Sequence, residues 1–66
     1  MTKAERKYIE RKMQSYYDDA RIEDENCETF WKMGDHDAWD VAYTQYRLSL
    51  CKAELLDNLL QDLETL

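Results

Sequence analysis

At 66 residues the chain has room for one domain, spanning 1–66, and a chain this short buries only about 60% of the surface it exposes when unfolded, so an isolated monomer is marginal. One glycine and no proline leave too few turn residues for a sandwich, a barrel or a hairpin-rich sheet, and 44% hydrophobic with 36% charged residues is the composition of a folded, soluble chain rather than a disordered one. A net charge of −6, from 15 acidic and 9 basic residues, argues against a general nucleic-acid binder and against a binder of anionic membrane surfaces.

The first predicted element is a helix over about residues 3–32. Its apolar stripe runs Arg6, Ile9, Met13, Tyr16, Ala20, Glu23, Cys27, Phe30, in alternating steps of three and four. Glu23 falls within this stripe. A hydrogen bond to the Tyr46 hydroxyl would accommodate it there. The polar run Arg21–Asn26 is also a place where the helix can break, which gives three helices as the alternative. Met33-Gly34-Asp35 is the strong punctuation, because glycine stands just past helix C-termini and aspartate caps helix N-termini. A second helix follows over about residues 36–64, with its stripe at Trp39, Ala42, Tyr46, Ser49, Ala53, Leu56, Leu60 and Leu63.

If the chain reverses at Gly34, facing residues have numbers with a constant sum. Phe30 with Trp39, Ala20 with Ser49, Tyr16 with Ala53, Ile9 with Leu60 and Arg6 with Leu63 all sum to 69. Large Tyr16 then meets small Ala53. Among flanking residues, Asp19 reaches Lys52, Asn26 reaches Gln45 and Lys3 reaches Glu64. The expected fold is therefore all-α, an antiparallel helical hairpin.

The seam leaves apolar side chains over. Tyr17, Trp31, Tyr43 and Leu50 lie along one flank. Leu48, Leu55, Leu59 and Leu66, with Val41 ahead of them, lie along another side of the second helix. Apolar patches of this kind mark interfaces, and two hairpins pairing into a dimeric four-helix bundle would cover one of them. A three-helix monomer would wrap one within the chain.

Charge is segregated too: residues 1–14 carry net +3, residues 15–40 net −7 and residues 41–66 net −2. The turn-proximal end thus gathers Asp18, Asp19, Asp24, Glu25, Glu28, Asp35, Asp37 and Asp40. Such crowding either keeps a face solvated or awaits a positive partner. The basic residues Lys3, Arg6, Lys7, Arg11 and Lys12 are interleaved with Glu5 and Glu10 and lie near Asp57, Asp62 and Glu64, so charge pairing within the hairpin is expected rather than contact with nucleic acid.

No catalytic constellation is present. The one histidine, His36, opens the second helix as an exposed residue, Cys27 points into the seam, and Cys51 points outward far from the turn, so a Cys–His pair is out of reach. Asp35, Asp37 and Asp40 resemble the opening of a calcium loop, but Asp40 and Tyr46 stand where its glycine and glutamate belong. Neither cysteine has a zinc partner at ligand spacing. The two cysteines lie about 13 Å apart along the hairpin axis, too far for a disulfide. No cofactor is expected. No stretch is apolar enough to span a membrane, and MTKAERKYIERK has neither the apolar core nor the cleavage site of a signal peptide. The expected location is cytoplasmic, with both thiols free.

The function expected is therefore non-catalytic: a protein-interaction module. In size, charge and helicity the chain resembles the very small acidic helical proteins of phages and mobile elements. Some of these, anti-CRISPR proteins among them, occupy basic nucleic-acid channels of host proteins as DNA mimics. That resemblance implies that Asp18, Asp19, Asp24, Glu25 and Glu28 stand in for phosphates, with Trp31 or Tyr43 anchoring the contact. The alternative is a structural or regulatory homodimer, an adaptor or antitoxin-like protein, that works through its leucine patch.

Overall fold

The first helix needs a start signal, and Thr2 supplies it. Its hydroxyl accepts from the Glu5 backbone N–H at 3.1 Å while the Glu5 carboxylate accepts from the Thr2 N–H at 3.2 Å, a reciprocal capping box. Hydrogen bonding of the Glu5 carboxylate to Thr2, to its side chain first and its backbone N–H second, holds the Glu5 carboxyl below the usual carboxylate range. The cap is therefore intact above the ordinary glutamate pKa and weakens as pH falls through the lowered one. In the computed structural model, which describes residues 1–65, α1 runs from Lys3 to Met33 and α2 from His36 to Glu64. No strand occurs among the described residues.

The reversal is made by Gly34 and Asp35. Gly34 sits at φ 75°, ψ 15°, in the left-handed region. Its N–H donates to the Trp31 carbonyl at 3.1 Å, and the Asp35 N–H donates to the Phe30 carbonyl at 3.0 Å. This pair of bonds closes α1 as a Schellman motif. A Cβ at Gly34 would meet nothing within 4 Å, so glycine is required there by backbone conformation and not by crowding, a preference of about 1 kcal/mol. Asp35 then opens α2, its Oδ1 accepting from the Ala38 N–H at 3.1 Å.

The helices pack antiparallel along their whole length, forming a rod with Cα extents of 48 × 16 × 12 Å. The seam is the one the stripes predict. Ala20, Cys27, Ala42, Ala53 and Leu60 are buried, and the other stripe positions are half-buried, save Arg6 at the open end. Cross-helix contacts at three heights confirm the register. Arg6 pairs with Glu64, Lys52 lies over the Tyr16 ring at 5.5 Å, and Trp31 meets Trp39 at 5.7 Å. Their residue numbers sum to 70, 68 and 70, bracketing the expected 69.

Four expectations are corrected. The helix does not break at Arg21–Asn26: α1 is continuous, and of these six residues only Glu23 is even half-buried. The polar run lies on the solvent side, where Arg and Glu favour helix, so the three-helix alternative does not hold. Glu23 stays in the seam without a hydrogen bond to Tyr46 among the described residues. At the open end Glu64 is met by Arg6 rather than Lys3, because Arg6 lies on the seam and also holds Glu10 at 3.0 Å. Lys52 rests on the Tyr16 ring instead of forming an ion pair with Asp19.

Candidate interaction surfaces

A single layer of two helices has two broad faces, and neither is covered. Along one face, the row Val41, Leu48, Leu55 and Leu59 is 64%, 50%, 69% and 44% exposed. The fourth predicted member of the leucine patch, Leu66, lies outside the described residues. Beside the row, Tyr8, Lys12 and Tyr16 of α1 face Lys52, Leu55 and Leu56 of α2 across an open groove of about 500 Å³. Lys12 reaches over the Tyr8 ring at 5.9 Å, much as Lys52 does over Tyr16. Both ammonium groups thus stand over tyrosine rings that border the groove, a cation–π placement.

The other flank is aromatic. Trp39 and Tyr43 stack with centroids 5.0 Å apart and planes at 10°. Trp31 tilts against Trp39 at 5.7 Å, Tyr46 continues the run at 6.3 Å from Tyr43, and His36 meets the Trp31 ring edge-on at 5.9 Å. Of the four residues predicted here, Trp31 and Tyr43 are exposed, whereas Tyr17 and Leu50 are half-buried against the seam. Sequence spacing separates seam from flank and so misses that Trp39, Tyr46 and His36 join the same cluster. The i, i+4 step from Trp39 to Tyr43 is the signal for that stack.

The acidic residues of the turn-proximal half are unevenly occupied. Asp35 is committed to capping α2, Asp18 accepts from the Gln14 amide at 3.0 Å, and Glu28 pairs with Lys32 at 3.1 Å. Asp19, Asp24, Glu25, Asp37 and Asp40 are exposed and carry no ion pair among the described residues. No group of three or more His, Cys, Asp or Glu side chains is placed to hold a metal ion among the described residues. Nor is any described helix long and apolar enough to cross a membrane.

The two thiols differ sharply. Cys27 is buried in the seam and Cys51 is exposed; both are free. Burial, reinforced by the nearby Asp24 and Glu23 carboxylates, pushes the Cys27 thiol up from its ordinary value. A thiol raised on folding adds stability below its unfolded pKa and loses it as pH climbs past that value. Cys51 should therefore react with iodoacetamide or a maleimide at the rate of an unstructured thiol. Cys27 should lag by at least tenfold at neutral pH, its rate following the opening of the hairpin. Mass spectrometry of timed, quenched samples checks this, and equal rates at the two sites would contradict the seam. Comparison with known protein families, with characterised proteins and with solved structures finds no match to this chain.

Proposed function

We propose that this chain is a non-catalytic protein-interaction module that acts as a homodimer, two hairpins pairing their leucine faces into a four-helix bundle. The supporting observation is surface area. A monomeric protein of 8.0 kDa is expected to expose about 4,450 Å², and this hairpin exposes 5238 Å². The excess, roughly 800 Å², is what each partner contributes to an interface of ordinary size. The seam alone also gives a thin core, with no buried side chain larger than Leu60 among the described residues. A second layer would convert the exposed leucines into a second core.

Sedimentation equilibrium over a wide concentration range tests this. The dimer should persist to low micromolar concentration, and a Leu55→Glu, Leu59→Glu double variant should sediment as a monomer of unchanged helical circular dichroism just after dilution. A wild-type chain that is monomeric at high micromolar concentration would refute the assignment.

The unpaired carboxylates favour a second role for the same particle in a cytoplasmic setting. In this role the turn-proximal end docks on a basic, nucleic-acid-binding surface of a protein, with Asp19, Asp24 and Glu25 meeting cations and Trp31 and Tyr43 as anchors. Binding to a purified basic nucleic-acid-binding domain should weaken steeply with salt and be displaced by duplex DNA. Affinity indifferent to salt would exclude phosphate mimicry.

A further inference from the structure

We infer that the two hairpins of the dimer lie antiparallel, the turn end of each against the open end of the other; this rests on the homodimer proposed above. The occupant of the leucine face is a second copy, and the charge distribution along the rod selects its direction. Asp18 and Cys51 stand level at the middle of the seam. The half of the rod nearer the turn, residues 18–51, carries nine acidic and three basic residues, net −6. The open half, residues 1–17 with 52–66, carries six of each, net zero.

A two-fold axis along the rod would lay the −6 half of one copy on the −6 half of the other. Packed helices are about 8–10 Å apart, close to the Debye length of about 8 Å at physiological salt, so that repulsion would be only partly screened. A two-fold axis across the rod sets each −6 half against a neutral one. It moves the centres of the two acidic halves about half the 48 Å rod length apart, roughly three Debye lengths, where their repulsion is largely screened.

The apolar row and Lys12 fit the crosswise axis. Val41 to Leu59 is centred on residue 50, within one residue of the rod's midpoint, so rotation about that point lays the row on itself. Lys12 lines the groove in the open half and comes to face the partner's acidic half, while Lys52 stands at the midpoint. The assembled particle then carries one aromatic–acidic end at each tip.

A single spin label at Met33→Cys, in a Cys27→Ala, Cys51→Ser background, tests the direction. Met33 is exposed and lies 15 residues from Asp18 along α1. That is about 22 Å at the helical rise, so an antiparallel dimer places the two labels about 45 Å apart. A parallel dimer places them within about 20 Å, two helix diameters. Pulsed electron–electron double resonance on a sample shown dimeric by sedimentation should give the long distance. Mixing chains labelled at Met33→Cys with chains labelled at Lys7→Cys should add a short one. A short Met33–Met33 distance in a confirmed dimer overturns the antiparallel direction and leaves the homodimer standing. A background chain that is monomeric, with the wild type monomeric beside it, overturns both. Circular dichroism of each labelled chain confirms that the hairpin is retained.

Discussion

Replacing Ala53 by leucine is expected to destabilise the hairpin by about 2–3 kcal/mol, the upper range for forcing methylenes into a closed contact. Ala53 is fully buried, 0% exposed, at the waist where the two helices come together. The seam register sets it opposite Tyr16, whose ring lies beneath the Lys52 ammonium. Three added carbons have nowhere to go unless the helices separate. Separation would strip contact from Ala20 and Ala42, which are buried only because the helices are close. For a domain of this size 1 kcal/mol corresponds to roughly 4–8 °C in Tm, so the midpoint should fall by about 10–20 °C. A Tyr16→Ala, Ala53→Leu double variant moves volume from one side of the waist to the other. It should be more stable than the sum of its two single variants predicts by about 1 kcal/mol or more, the sign of residues in direct contact. Thermal denaturation of the four chains closes the cycle, and simple additivity would show that Tyr16 and Ala53 do not touch.

The pairing of Tyr16 with Ala53 is readable in the amino-acid sequence because two constraints meet there. Steps of three and four give each helix a stripe, and the lone glycine sets the register between stripes, so the sequence alone pairs Tyr16 with Ala53. Burial follows those stripes from Ile9 to Leu63. The polar segment Arg21–Asn26 was harder, since polarity marks either a break or a solvent face, and only the phase relative to the seam decides between them. Five of its six residues face water, and only Glu23, which falls on the seam stripe, is half-buried. The choice of Arg6 over Lys3 for Glu64 depends on side-chain reach, to which spacing is blind. The aromatic cluster was split for a related reason. A stripe assigns each residue to seam or flank, whereas an indole ring is wide enough to belong to both, and Trp39 bridges Trp31 on one side and Tyr43 on the other.

The same substitution made at two leucines five residues apart should separate the forces that hold the hairpin from those that pair it. Leu60 is 6% exposed, the largest buried side chain in the seam, and Leu55 is 69% exposed on the open face. Leu60→Ala removes apolar area from the interior and leaves space that two rigid helices cannot fully close, a loss of about 2–4 kcal/mol. Because the open end of the rod has little else to hold it, that loss should appear as fraying of residues near both termini, with amide exchange there accelerated first. Leu55→Ala removes a side chain that the lone hairpin barely covers, so it should change the stability of a monomer by no more than about 0.5 kcal/mol. In a dimer that closes over Leu55, the same change lowers the apparent midpoint only through mass action, and the deficit shrinks as protein concentration rises. Denaturation of both variants at two concentrations a hundredfold apart tells these cases apart. A large, concentration-independent loss at Leu55 would place that residue inside the hairpin's own core and remove the face on which pairing depends.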